Sequence, residues 1–264
     1  MVQRLWTRPP IQVDLSVSNE QLDVMVARVE RSFRHLGETE PHWSVLAAEK
    51  YKAANIATIP WVEAEFWDSG QIDVEDLVET VARCGLNFAE YEDCFELGCG
   101  VARVTIWLAR RFRKVVAADI SCSHLKIAEE TASRFHVQNV SFLPILSPSI
   151  LDVDSFDVFF SIITLQHNPP PVIRLLLITA LRKLRPGGIA YFQIPTYRRG
   201  YSFEVEKYLA QEVNIGGPPE MHVLPQPELL EAIEIAGCRL LEMREDDAAG
   251  GNGHISNRLL VRKQ

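Results

Sequence analysis

From Ser18 to Leu36 the apolar residues Leu22, Met25, Val29, Phe33 and Leu36 recur at helical spacing, which predicts an amphipathic helix ahead of any strand. Between Trp43 and Gly70 the residues Trp61, Phe66 and Trp67 stand among small residues without a clear period, so this stretch is assigned only loosely as helical pieces. Asp73 reads as the N-cap of a further helix with Leu77, Val78 and Val81 on one face, and Gly85 reads as its stop.

After Gly85 the texture changes. Cys94 to Leu97, Lys114 to Asp119, Val140 to Pro144, Phe156 to Ile163 and Ile189 to Ile194 are short apolar runs that read as strands. They alternate with helix-length segments from Val101 to Phe112, Ser121 to His136 and Val172 to Leu184. Nearly continuous apolar strands alternating with helices imply a parallel sheet covered on both faces, a doubly wound core over about residues 92–196. A helix from Glu228 to Ala236, stopped by Gly237, precedes two strands near Arg239 to Met243 and Ile255 to Val261. The Gly-rich turn Ala249 to Gly253 lets these two pair antiparallel. The expected architecture is α/β: a mostly parallel, Rossmann-like seven-stranded sheet with an antiparallel C-terminal strand and an added N-terminal helical region. Residues 1–90 are expected to form that extension or cap, and residues 91–264 the core, with a lid at about 196–225.

Composition narrows the partners. Twenty-seven Lys and Arg against 35 Asp and Glu give a net charge of −8, which lacks the basic footprint of a nucleic-acid binder and favours a small-molecule ligand. The start MVQRLWTRPP has no apolar stretch of a secretory signal, and no run approaches the roughly 18 apolar residues of a membrane span, so a cytoplasmic protein is expected. The five cysteines, Cys84, Cys94, Cys99, Cys122 and Cys238, show no CxxC pair, so neither a metal site nor a disulfide framework is expected.

The chemistry concentrates at strand ends. Phe95-Glu96-Leu97-Gly98-Cys99-Gly100 comes off a strand and opens a segment with Val104, Trp107 and Leu108 on one face. Glycines at such a turn allow a ligand to approach the backbone closely, as a nucleotide does at a helix N-terminus. A dinucleotide fingerprint would want a third glycine at position 103, where the chain has Arg103, with Ala at 102. Asp119 ends the second strand, where a carboxylate can accept both hydroxyls of a ribose; the alternative is a cap of the next helix, a role that Ser121 can fill instead.

Glu96 with Gly98 and Gly100 resembles the first motif of class I methyltransferases that use S-adenosylmethionine (SAM), with Ala102 in place of the motif's last glycine. The run Phe156 to His167 resembles the fourth-strand motif of that family, and Leu184-Arg-Pro-Gly-Gly188 its turn before the fifth strand. Phe66-Trp-Asp-Ser-Gly70 also resembles some bacterial methyltransferases of undefined substrate. The resemblance implies methyl transfer with SAM as cofactor and S-adenosylhomocysteine (SAH) as product. It further implies that Glu96, Gly98, Cys99, Gly100, Arg103, Asp119, Ile120, Ser161, Ile162 and Gln166 surround SAM, with Ser69 and Gly70 closing over its amino-acid end. Ile120 would press on the adenine, or be an ordinary core residue. Leu146 stands where many relatives carry an Asp, so adenine would be held by backbone and apolar contacts.

Because the sulfonium supplies the driving force, few catalytic side chains are needed. His167, just past the fourth strand, is the candidate base or positioning residue, held by the stiff Asn168-Pro-Pro-Pro171 loop. Tyr197, Arg198, Arg199 and Tyr201 could grip an anionic or sugar-like acceptor as part of a lid, or simply form a solvated loop. His222 and His254 lie in loops that could approach the same face. The expected reaction is methyl transfer to oxygen or nitrogen of a small, sugar-containing or anionic metabolite. A SAM-binding subunit that activates a partner without catalysis, and a nicotinamide-dependent oxidoreductase, are the competing readings.

Overall fold

A computed structural model of the chain describes residues 11–145, 153–250 and 253–264. Seven strands form one sheet: β1 (Asp93–Leu97), β2 (Lys114–Asp119), β3 (Val140–Pro144), β4 (Phe156–Ser161), β5 (Leu184–Arg198), β6 (Cys238–Asp246) and β7 (His254–Lys263). Their spatial order is β3-β2-β1-β4-β5-β7-β6. All neighbours pair in parallel except at β7, which runs antiparallel to both β5 and β6. The expected seven-stranded sheet with its one reversed strand is therefore present. The chain order reverses at β1, where β2 lies on one side and β4 on the other; that switch point opens a crevice at the carboxyl ends of the strands.

Alternate residues of each central strand face opposite layers. Phe95, Phe159, Ala190 and Phe192 pack against helices α1 (Asn19–Thr39), α6 (Pro170–Arg182) and α8 (Gln226–Ile235). Cys94, Val158, Phe160, Ile189 and Tyr191 pack on the other side against α3 (Pro60–Arg83) and α4 (Thr105–Leu108). Burial on both faces explains why these strands read as unbroken apolar runs. α1 begins with a complete capping box, in which Ser18 and Gln21 satisfy each other's backbone N–H groups. The loosely assigned stretch folds into a short 3-10 turn (Glu49–Tyr51), α2 (Ala53–Ile56) and the start of α3, whose Val62, Phe66 and Trp67 form a satellite core with Val101 and Ile106.

Three expectations are corrected. Asp73 does not start a helix; it lies in the middle of the continuous α3. Its carboxylate accepts hydrogen bonds from Arg103 at 2.7 Å and from Arg258 at 2.9 Å, all three residues being mostly buried. One turn on, Asp76 takes Arg244, Arg258 and the Tyr191 hydroxyl, so α3 is bolted to β5, β6 and β7. Ser69 and Gly70, read as a turn that closes on a cofactor, are likewise helical; Ser69 Oγ donates to the Phe66 carbonyl and accepts from Arg103. The predicted helix Val101–Phe112 shortens to α4, flanked by turns. Further along, α5 (Cys122–Arg134) is capped by Ser121, whose hydroxyl accepts from the His124 N–H.

Gly70 is in a helix because of a close approach: a Cβ there would lie 2.1 Å from the Arg103 carbonyl oxygen. Gly70→Ala is expected to lower unfolding free energy by about 2 kcal/mol through overpacking, although alanine has the better helix propensity. A urea midpoint at or above that of the parent would show that the helix has room to move.

Candidate active site

A cleft enclosing about 750 Å³, mouth included, lies at the carboxyl ends of β1, β2 and β4. Its walls include Leu97, Gly98, Gly100, Asp119, Ile120, Ile162, Ile163, Thr164 and His167 from the sheet edge. Val26, Val29 and Phe33 of α1 close the opposite side, together with Ser44 and Val45. Mostly apolar walls with a few polar groups are the usual lining of a small-molecule site.

The turn after β1 is left-handed at Gly98 (φ 79°) and Gly100 (φ 53°). A Cβ on Gly98 would strike the Thr164 side chain at 2.1 Å, and one on Gly100 would strike Val45 at 2.6 Å, so both glycines are needed for close packing across the cleft. Ala102, in place of the motif's last glycine, also has positive φ, 69°. The turn's amides do not form an open cradle. Gly98 and Cys99 N–H both donate to the Ala118 carbonyl, at 2.7 and 3.0 Å. Gly100 N–H donates to Asp119 Oδ2 at 2.8 Å, while Oδ1 accepts from Ser121 N–H. The turn therefore clamps the end of β2 and fixes the Asp119 carboxylate at the cleft wall, where each oxygen keeps a further lone pair for a ligand hydroxyl.

Glu96 is buried behind the turn, where its carboxylate accepts from the Thr105 hydroxyl at 2.6 Å. Burial pushes it up to about 7, opposed by that hydrogen bond and by the Arg103 charge. Cys99 and Ser161 also sit behind the cleft, the latter donating to the Leu97 carbonyl. Arg103, Ser69 and Gly70 are engaged with one another and with Asp73, away from the cleft wall. Leu146 lies outside the described residues. Thus Gly98, Gly100, Asp119, Ile120, Ile162 and His167 meet around one space, and Glu96, Cys99, Arg103, Ser161 and Gln166 support it from behind.

Ile163 is a β-branched residue with φ 56° on the cleft wall, a strained conformation held by its neighbours. Gln193 of β5, fully buried, provides the hold: Oε1 accepts from Ile163 N–H at 3.0 Å, and Nε2 donates to Gln166 Oε1 at 3.0 Å and to Ser256. Sequence reading missed this residue because a lone Gln in an apolar strand carries no local signal.

His167 is buried beside Phe33, with ring centroids 5.5 Å apart. Its Nδ1 is 2.8 Å from the Glu220 carbonyl, an acceptor only, so Nδ1 carries the proton and Nε2 the lone pair; the Gln166 amide donates towards Nε2 from 3.4 Å. Burial holds its pKa down to about 4, so the ring is neutral near pH 7. Beyond it, Tyr201 donates to His222 Nδ1 at 2.9 Å, and His222 Nε2 and the Tyr208 hydroxyl both donate to Glu220 Oε2, at 3.1 and 2.9 Å. Tyr197 and Arg198, expected in a lid, are the last rungs of β5 against Ile255 and His254 of β7, and Arg198 and Arg199 are exposed away from the cleft. His254 is in that β7 strand as well. Among the described residues no group of three or more His, Cys, Asp or Glu side chains could hold a metal, and no helix is long and apolar enough to cross a membrane.

Residues 95–188 match the family profile of a methyltransferase domain. No curated protein sequence matches the chain. Among solved structures, the chain is similar to magnesium protoporphyrin IX methyltransferase from Synechocystis PCC 6803 with bound SAH, at 16% identity and a TM-score of 0.62, over 92% of this chain and 100% of that one. It is also similar to a S-adenosylmethionine-dependent methyltransferase from Clostridium acetobutylicum, at 14% identity and a TM-score of 0.53, over 75% and 92% of the two chains. The cyclase SpnF shares the fold at 16% identity and a TM-score of 0.51, over 67% and 79%. These structural likenesses establish the fold. The chain thus carries a segment that matches a methyltransferase domain, on a fold that it shares with these solved structures.

Two buried groups of the site, His167 and Glu96, give opposite pH dependences. His167, ordinarily near 6.5 and near 4 in the fold, binds fewer protons folded than unfolded between those values, so its contribution to stability is full above 6.5 and is lost as pH falls. Glu96, ordinarily 4.5 and near 7 in the fold, binds more protons folded than unfolded, so it favours folding at low pH and the benefit is lost as pH rises. Over the shared window His167→Asn is expected to tilt the stability–pH curve downwards with rising pH, and Glu96→Gln to tilt it upwards, each by up to about 2 kcal/mol. Urea unfolding from pH 4.5 to 6.5 measures both; curves parallel to the parent's would refute the assigned burial.

Proposed function

We propose that the chain transfers the methyl group of SAM to an oxygen or nitrogen of a small metabolite, anionic or sugar-containing, bound beside His167. The observation that carries this reading is that the cleft at the switch point shares Val29, Phe33 and His167 with a second, smaller cavity. When bound, SAM supplies an electrophilic methyl on a sulfonium. Asp119 would accept the ribose hydroxyls, Gly98 and Gly100 allow close contact with the amino-acid end, and Ile120 and Ile162 offer apolar contact to the adenosine.

His167 acts mainly by position in this reading. With a pKa near 4 its imidazole is a weak base; its proton is committed to the Glu220 carbonyl, and its Nε2 lone pair, which takes only the long 3.4 Å contact from the Gln166 amide, would accept a hydrogen bond from an acceptor O–H or N–H in that contact's place. On transfer, the new carbon–oxygen or carbon–nitrogen bond replaces the carbon–sulfur bond, and the acceptor's proton leaves to solvent. Water exclusion by Phe33, Val29 and Ile163 keeps the reacting atoms in a low-dielectric space.

Calorimetric titration with SAM, SAH and NAD is expected to give saturable binding of the two adenosyl ligands and none of NAD. Asp119→Ala should weaken SAH by about tenfold or more through the lost ribose hydrogen bonds. Preference for NAD, or SAH affinity indifferent to Asp119, would overturn the reading.

A further inference from the structure

The second cavity, its open mouth included, spans about 320 Å³ and shares Val29, Phe33 and His167 with the cofactor cleft; Arg28, Tyr208 and Glu220 also line it. Arg28, on α1, is only 6% exposed. Its Nη1 donates to the Gln211 carbonyl at 2.6 Å and its guanidinium lies over the Tyr208 ring, 4.4 Å from the centroid. Its Nε and Nη2 are buried and make no hydrogen bond.

Those two groups are the adjacent donors on one edge of the guanidinium, the edge that meets a carboxylate through two parallel hydrogen bonds. A buried cation with unmet donors costs stability unless something completes it. No carboxylate of the chain forms an ion pair with Arg28 among the described residues. The nearby Glu220 feels the Arg28 charge, but its Oε2 is taken by Tyr208 and His222, which both donate to it, and it makes no ion pair with Arg28.

We infer that this cavity is the acceptor site and that Arg28 grips a carboxylate of the acceptor, whose apolar body packs against Phe33 and Val29 while His167 marks the boundary with the cofactor. The assignment rests on the methyl-transfer reading for the identity of the ligand as acceptor. A monoanionic, planar carboxylate fits better than a phosphate dianion, because Glu220 lines the same cavity and repels the second charge. Specificity for the acceptor then resides on α1, outside the matched methyltransferase domain at 95–188.

Ligand-observed NMR titration of the full chain with benzoate, phenyl phosphate and benzamide tests this, with and without saturating SAH. Benzoate is expected to bind at least about tenfold more tightly than benzamide and more tightly than phenyl phosphate, as two charge-assisted hydrogen bonds require. Arg28→Met should abolish the preference and Arg28→Lys retain part of it. Benzoate binding no tighter than benzamide, a preference for phenyl phosphate, or a preference that survives Arg28→Met would overturn the inference. Failure of SAH to bind while the Arg28-dependent preference persists would instead overturn the cofactor reading and leave the carboxylate site standing.

Discussion

Asp73 and its two arginines form the contact on which the arrangement of this protein depends. A buried carboxylate is tolerated only when paired and hydrogen-bonded, and here both oxygens are taken, one by Arg103 after the Gly turn and the other by Arg258 of β7. The partners come from three distant parts of the chain, so none can shift without leaving a charge unmet. The glycine turn, the covering helix α3 and the reversed strand are fixed relative to one another by the same small cluster. Asp76 extends the cluster to β5 and β6.

With that frame fixed, the carboxyl ends of β1, β2 and β4 form a rigid floor. The glycine turn uses its amides to hold Asp119, and Gln193 uses all of its amide to hold the strained Ile163 and the Gln166 beside His167. Groups on the cleft wall thus owe their positions to buried groups behind them, as precise binding sites require. The roof is different in origin: α1 lies over the crevice and contributes Val26, Val29 and Phe33 to one cavity and Arg28 to the next. In the reading proposed above, cofactor and acceptor functions fall on different parts of the chain, the first on the sheet and the second on the roof. That division is consistent with a fold that also serves a cyclase, since a common sheet does not determine what the roof admits.

Much of the core was legible in the amino-acid sequence because its signals are local. Lys114–Asp119 and Val140–Pro144 are strands at their predicted bounds; the first is apolar because both its faces are covered from Val115 onwards, and the second, at the sheet edge, is only partly buried and admits Ser141. Gly85 and Gly237 stop their helices with φ of 72° and 70°, a conformation that glycine adopts without strain. The glycine turn and Asp119 were legible as a pair because both lie at strand ends, where an open parallel sheet binds ligands.

What the sequence could not determine are interactions between groups far apart in the chain. Asp73 looks like a helix cap by local rules, and only Arg103 and Arg258, which arrive from 30 and 185 positions away, make it a mid-helix anchor. Tyr197 and Arg198 look like a lid because they follow an apolar run, yet pairing with β7 extends the strand through them. Arg28 sits within an amphipathic helix, where a charged side chain reads as solvated until α7 (Val205–Ala210) and the segment after it bury it. Periodicity reports which way a side chain points along its own element; what it meets there is decided by the tertiary structure, because ion pairs and cavities are formed by elements that only packing brings together.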